Sequence, residues 1–413
     1  VVQSAFSTEI LHRIEALAAI SEAPDRLTRV FLSPEHRRAN ELVLSWMREA
    51  GMAARSDAIG NVVGRYEGEG PGLPALVLGS HLDTVRDAGK YDGMLGVVTA
   101  IACVASLHRA GRRLPFAIEV IGFADEEGVR FGATMLGSRA IAGTFDAALL
   151  DRRDAAGVTM AEALRDFGCD PAGLPGAARS PREILAYVEL HIEQGPVLEA
   201  RGLPVGCVTS INGASRYEVD VAGTAGHAGT VPMDVRRDAL AAAAQCVLAI
   251  EARCRGEADL VGTVGVLQVS PGAINVIPGN VRFAIDLRAP DDEQRRRAEA
   301  DVLRVLATIG EKRGVAIAPR KVHDLPAALC APWLMAQVDR AIAAEGIENL
   351  QLPSGAGHDG MAMIAIADIA MIFVRCAGGI SHNPAEAVAA EDVEIAARVL
   401  SRFITEFEPK RGQ

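Results

Sequence analysis

A change of rhythm part way along the chain restricts the fold more than any other feature. Up to about residue 190, helix-like and strand-like segments alternate. Ser33 and Pro34 at the start and Gly51 at the end bracket one helix with an N-cap, a first-turn proline and a C-terminal glycine. Strands are predicted at Asn61–Tyr66, Ala75–Ser80, Phe116–Phe123 and Tyr187–His191, and the Gly93–Ala110 run, apolar almost all round, reads as a buried helix packed on a sheet. Near Ser210 the order becomes β-α-β-β-α-β: strand Arg216–Val221, helix Asp234–Cys254, strands Leu260–Val269 and Val281–Arg288, helix Asp291–Arg313 and strand Val315–Val322. After Pro326 the first style resumes, with helix Pro332–Ala344, strand Ile369–Val374 and a terminal helix Asp392–Phe407. The expectation is an α/β fold. A discontinuous catalytic domain with a mixed sheet flanked by helices takes residues 1–211 and 327–413, and a ferredoxin-like insert over 212–326 acts as a lid and dimerisation domain.

Composition narrows the function. The 413 residues carry a net charge of −11, and their basic residues are scattered rather than gathered in a stripe, so nucleic acid is not the expected partner and a small molecule is. Seven cysteines, odd in number and without a CxxC pair, argue against a disulfide framework and for a reducing cytoplasm. No apolar run reaches the ~18 residues of a membrane span, and the stretch from Met361 to Val374 is broken by Asp368, so a soluble protein without a membrane partner is expected. The sequence opens on Val1, which leaves room for a preceding residue or targeting segment.

Five of the nine histidines sit in glycine-rich or acid-rich junctions: His81 in GSHLDTV, His191 in ELHIEQG, His227 in AGHAGT, His358 in GAGHDG and His382 in GISHNP. The other four (His12, His36, His108 and His323) lie in ordinary helical or strand contexts. His81 and Asp83 leave a strand two residues apart, so an extended backbone points both side chains to one side. Asp83 then suits the role of a carboxylate that fixes a ligand histidine's tautomer. Asp92 precedes the buried helix, where a carboxylate bridges two cations or, more plainly, caps the helix. Asp125, Glu126 and Glu127 follow on an apolar strand, and three adjacent carboxylates there repel one another unless cations offset them, an exposed acidic turn being the plain alternative. Ligands at successive strand ends converge on one edge of a sheet.

HLDTV, YDG, DEEG, HIEQGPVLE, GHAGT, DLR, GAGHDGM and SHNP, in that order across nearly the whole chain, resemble the aminoacylase/carboxypeptidase G superfamily of dinuclear metallohydrolases. Within it the match is to the hydantoinase/carbamoylase branch, which holds N-carbamoyl-L-amino-acid hydrolases, allantoate amidohydrolases, ureidoglycolate hydrolases and β-ureidopropionases. The resemblance implies two divalent metal ions per subunit, Zn, Mn, Co or Ni. One is held by His81, Asp92 and His191, the other by Asp92, Glu127 and His382, with Asp92 as the bridge. Glu126 is implied as the general base for the metal-activated water and Asp83 as the group that orients His81. Gln194 and His358 match substrate-side positions. His227 and Asn275 match positions that bind substrate and stabilise the oxyanion, His227 doing so in the partner subunit of a homodimer. Arg288 matches an arginine that clamps a substrate carboxylate, for which a bidentate guanidinium is suited; an ion pair with Asp286 or Glu218 is its plain alternative.

The expected activity is hydrolysis of a linear ureido or carbamoyl C–N bond in an N-carbamoyl-L-amino acid or allantoate. Two alternatives stand beside it. A peptidase or N-acyl-amino-acid deacylase of the same superfamily would generally have a carboxylate where this chain has His191. A non-catalytic binding protein on a hydrolase scaffold would typically have lost a ligand, the base or the lid histidine, and all are present here.

Overall fold

The computed structural model describes residues 6–410. In chain order its strands are β1 (Ala53–Ser56), β2 (Val62–Tyr66), β3 (Ala75–His81), β4 (Ala117–Phe123), β5 (Ile184–Ile192), β6 (Val205–Ile211), β7 (Gly213–Ala222) and β8 (Gly226–His227). There follow β9 (Val261–Ser270), β10 (Val276–Ile277), β11 (Asn280–Ala289), β12 (Ala316–Leu325), β13 (Ala328–Leu329), β14 (Gln351–Ser354) and β15 (Ile369–Val374). Packing divides the chain into two units. One takes the residues up to Thr209, 330–352 and those from Ala356 on; the other takes Ser210–Leu329 and Pro353–Gly355.

The first unit is built on a mixed sheet in the order β1-β2-β4-β3-β5-β15-β6. Its centre is parallel: β3 pairs with β4 and β5, and β5 with β15, all in the same direction, while β2 and β6 flank them antiparallel. The parallel strands are buried at every position, which is why their sequences are apolar runs rather than alternations. Helix Met94–Arg109 is buried at all but Ser106, His108 and Arg109. Gly96 is the reason it lies so close to the sheet, since a Cβ there would stand 2.1 Å from the Leu190 carbonyl oxygen. Because β3, β4, β5 and β15 run the same way, His81, the acidic segment after Phe123, and His191 all reach the carboxyl-end edge of the sheet.

The second unit is a four-stranded antiparallel sheet in the order β12-β7-β11-β9. Tyr217, Val219 and Val221 of β7 and Phe283, Ile285 and Leu287 of β11 pack with the helices Ala239–Arg255 and Asp292–Arg313, while alternate residues such as Arg216 and Asp220 face away. The helix expected from Asp234 starts instead at Ala239. The Asp238 side chain accepts the Ala241 N–H at 3.0 Å and so caps the helix, leaving Met233–Val235 as one 3-10 turn behind Pro232. Asp291 likewise caps Asp292–Arg313 by accepting from Gln294 N–H at 2.8 Å, and Gly314, at φ 61°, closes it in the left-handed conformation. No helix of the described residues is long and apolar enough to cross a membrane.

His36 ties helix Pro34–Glu49 into the core of the first unit. Ser33 caps the helix by accepting the His36 N–H at 3.1 Å, and the ring, fully buried beside Phe31 and Phe167, accepts the Leu32 N–H at Nδ1, 3.1 Å away. Burial, aided by the nearby charge of Arg29, pushes its pKa from 6.5 down to about 3. A ring held neutral in the fold but free to protonate in the unfolded chain stabilises fully above pH 6.5, and its contribution is lost as the pH falls towards 3, at up to about 1.4 kcal/mol per pH unit. Urea unfolding across pH 6.5 to 4 should therefore show a steeper loss for the native protein than for His36→Phe, the slopes differing by close to one proton. Equal slopes would remove His36 from the acid sensitivity.

Candidate metal centre

His81 ends β3, and its Nδ1 lies 3.0 Å from the backbone carbonyl of Asp83 and 3.8 Å from the Asp83 carboxylate. His191, on β5, has Nδ1 2.9 Å from the carbonyl of Ile192. A carbonyl only accepts, so in both rings Nδ1 carries the proton and Nε2 keeps its lone pair. Those lone pairs turn towards one carboxylate oxygen: Asp92 Oδ1 lies 3.6 Å from His81 Nε2 and 3.1 Å from His191 Nε2. The other oxygen, Oδ2, lies 3.2 Å from Nε2 of His382, which is itself 3.4 Å from Glu127 Oε1. Acceptor faces acceptor around a buried carboxylate, and only added protons or cations relieve that. Four sets of donor atoms each lie within 4.8 Å of one another among the described residues: Glu189 with His191 and His358, His81 with Glu126 and Glu127, and two that share Asp92, His81 with Asp92 and His191 and Asp92 with Glu127 and His382. The last two are joined by the two oxygens of Asp92. They are the same two triplets that the sequence resemblance implies for two cations, and the donor chemistry fits the group.

Local backbone fixes these positions. Asp92 does not cap the helix behind it; Gly93, at φ 71°, occupies that position, and a Cβ there would fall 2.5 Å from the His81 ring. The Gly93 N–H donates to His191 Nε2 at 3.2 Å. The Asp83 carboxylate accepts the N–H groups of Glu126 and Glu127 at 3.1 and 3.2 Å, so its main contact is with the acidic turn. Asp125, Gln194 and His382 adopt φ of 58°, 58° and 54°, a left-handed conformation that side chains avoid unless their surroundings dictate it. Gln194 donates to Asp92 Oδ2 at 3.0 Å.

The site is rich in acid. Burial and then the charge of Glu127 raise the Glu126 carboxyl well above its ordinary range, and burial pushes Glu127 up to about 7. Asp125, whose carboxylate oxygens have no hydrogen-bond partner among the described residues, is raised by burial and by the charge of Asp83. Cations at the two triplets would reverse these directions.

Three residues escaped the sequence reading. Glu386 accepts the N–H groups of Tyr91 and Asp92 at 2.8 and 3.2 Å, and Ser381 bridges it to Asp92, donating to Oδ2 at 2.9 Å while lying 3.0 Å from Glu386 Oε2. Ser381 opens the SHNP motif and Glu386 lies two residues past its end, so the motif was the available signal. Glu189 is fully buried behind His191 and accepts from Ser80 and Tyr187 hydroxyls, each at 2.9 Å. A carboxylate inside the apolar run Tyr187–His191 was its signal. His358 stacks edge-on against His191 at 4.4 Å, and burial holds it well below its ordinary pKa.

Thus His81, Asp83, Asp92, Glu126, Glu127, His191, Gln194, His358 and His382 all belong to the first unit, and His227, Asn275 and Arg288 to the second. There β8 pairs with β10 so that His227 stands opposite Val276, and the Asn275 carbonyl accepts the Ala228 N–H at 2.9 Å, which makes His227 and Asn275 neighbours. Arg288 forms the ion pair with Asp286, at 2.8 Å.

Comparison with known proteins identifies the family. Residues 77–406 match the model of peptidase family M20/M25/M40. The chain is 44% identical to an N-carbamoyl-L-amino acid amidohydrolase of Geobacillus stearothermophilus over 94% of its own length and 95% of the relative's. It is 39% identical to an allantoate deiminase of Arabidopsis thaliana, covering 97% and 82% of the two chains. The crystal structure of an amidase of the hydantoinase/carbamoylase family from Burkholderia multivorans superposes with a TM-score of 0.92 at 32% identity, covering 98% of this chain and 99% of that one. The protein is therefore a member of the M20/M25/M40 family, and within it of the hydantoinase/carbamoylase amidases, hydrolases of non-peptide C–N bonds.

Proposed function

We propose that the protein hydrolyses a linear ureido or carbamoyl C–N bond in a small carboxylate-bearing molecule, an N-carbamoyl-L-amino acid or allantoate, using two divalent cations. The observation that carries this reading is the Asp92 carboxylate, whose Oδ1 faces His81 and His191 while Oδ2 faces His382, as a bridge requires. When bound, such cations lower the pKa of a water and offset the charge that develops on the carbonyl oxygen. Zn, Mn, Co and Ni all suit the mixed imidazole and carboxylate donors. Glu126 touches no cation in this scheme. A buried carboxylate next to Glu127, held in place through its N–H by the Asp83 carboxylate at 3.1 Å, suits a group that removes a proton from the attacking water and passes it to the leaving nitrogen. Asp83 holds the turn carrying Glu126 and supports His81 through its carbonyl; Gln194 and His358 line the substrate side.

The second unit takes substrate recognition. Its strand order and two helices support a ferredoxin-like lid and dimerisation domain over residues 212–326, inserted between 1–211 and 327–413. His227 and Asn275 stabilise the oxyanion, His227 in the partner subunit of a homodimer, and Arg288 clamps the carboxylate with the N–H groups that Asp286 leaves free. All seven cysteines stand as free thiols, which suits a cytoplasmic setting.

With Mn, Zn, Co or Ni supplied, ammonia release from allantoate and amine release from N-carbamoyl amino acids test the activity; silence on every ureido compound overturns it. Glu126→Gln should keep both metals and lose about 10²–10⁴ in kcat, whereas Glu127→Gln should lower the metal content by elemental analysis. Gly93→Ala, which drives a methyl into the His81 ring, should also bind fewer than two metals; full occupancy would dismiss the close approach as incidental. Co-expressing Glu126→Gln with His227→Ala should restore part of the activity through one complete site per mixed dimer, and an inactive, verified heterodimer rules out sharing of His227.

A further inference from the structure

Arg216 stands opposite Asp286 in the pairing of β7 with β11, on the sheet face that the two helices leave bare. Asp286 joins two guanidiniums there. It accepts from Arg216 Nε at 2.9 Å and from Arg288 Nε and Nη2 at 2.8 and 3.0 Å. Arg288 Nη1 donates to the Gly355 carbonyl at 2.8 Å, so three of its five N–H groups are engaged and one remains on each terminal nitrogen. The terminal nitrogens of Arg216 have no partner among the described residues, and its side chain is 47% exposed. These groups border a cavity of about 560 Å³, the size of a small-metabolite site, with Thr263, Gly265 and Ala284 keeping it open. Against the upward push of burial, the two arginines hold Asp286 below its ordinary pKa, so that carboxylate stands against two cations, while Glu218, which also lines the cavity, is offset by its ion pair with Arg320.

A single surplus positive charge is satisfied by one substrate carboxylate, and a second carboxylate would find no counter-charge. A neutral oxygen is the better match for the remaining fork. We propose that Arg216 determines specificity: it shares Asp286 with Arg288 and offers its terminal N–H groups to a carbonyl or amide oxygen on the substrate's second arm, favouring such substrates over those with a hydrocarbon arm. A hydrocarbon would strip water from Arg216 and return no hydrogen bond. The inference rests on the reading that Arg288 receives the carboxylate.

The test compares N-carbamoyl-L-asparagine with N-carbamoyl-L-leucine, arms of similar shape that differ in an amide oxygen, with allantoate as a second acceptor-bearing compound. For the metal-loaded protein, Arg216→Met should lower the asparagine-to-leucine ratio of kcat/KM, and the allantoate-to-leucine ratio, by about ten- to a hundredfold. Arg216→Lys, which keeps the charge and loses the fork, should fall between. Ratios unchanged in Arg216→Met, whether both activities fall together or neither does, overturn the proposal. A leucine compound that is not turned over is read by its inhibition constant. Should the native protein hydrolyse none of the three, the activity reading fails by itself, and calorimetric Kd ratios for the same compounds decide the role of Arg216.

Discussion

Asp92 is the carboxylate on which the first unit converges. Three imidazoles turn their Nε2 atoms to it, and a glutamine, a serine and, through its backbone, Glu386 fix its orientation. Nearly every other constraint of the centre follows from keeping that carboxylate where it is. Gly93 must lack a side chain so that the chain can pass the His81 ring, Gly96 must lack one so that the helix behind Asp92 can lie on β5, and Gln194 and His382 take left-handed backbone to bring their side chains inward. An acid-rich pocket of this kind resists its own charge. Burial raises Asp125, Glu126 and Glu127 together, and the fold holds them in one turn by spending the Asp83 carboxylate on two of their N–H groups.

Much of this was legible in the sequence, for identifiable reasons. His81, Glu127 and His191 stand in short motifs at strand ends, Asp92 just before a buried helix and His382 in a glycine-rich loop, where residue type and context coincide, and apolar runs such as Phe116–Phe123 announce strands buried on both faces. What was not legible depends on distant partners. Glu386 acts on the backbone of residues almost 300 positions away, and no local pattern reports such a contact. Glu189 is disguised by the apolar strand that carries it. The start of the helix at Ala239 was missed because Asp234 and Asp238 are both good caps by type, and only the geometry of the turn after Pro232 chooses between them. The sheet order, with β15 between β5 and β6, is likewise invisible to periodicity, which gives a strand its length and faces but not its neighbours.

The second unit shows the same economy with charge. One carboxylate, Asp286, serves two arginines, and the alternation of β7 and β11 keeps both cations off the helix-covered face. Arg288 illustrates that an ion pair does not exhaust a guanidinium. A guanidinium has more N–H groups than one carboxylate can occupy, and the pairing fixes the plane of the remainder.

The position of β15 also has a bearing on biosynthesis. Parallel strand β5 gains its second neighbour only when residues 369–374 arrive, and His382 and Glu386 come later still. A chain still on the ribosome that has emitted His191 already possesses His81, Asp92 and Glu127, yet it lacks the strand that completes the sheet and the imidazole that faces Asp92 Oδ2. The whole of the second unit is made in that interval. The molecule thus passes through a long period as an open acidic pocket with an unpaired sheet edge, a state that invites premature capture of ions or mispairing of strands. Its vulnerability as a newborn chain is set by where one six-residue strand falls in the order of synthesis.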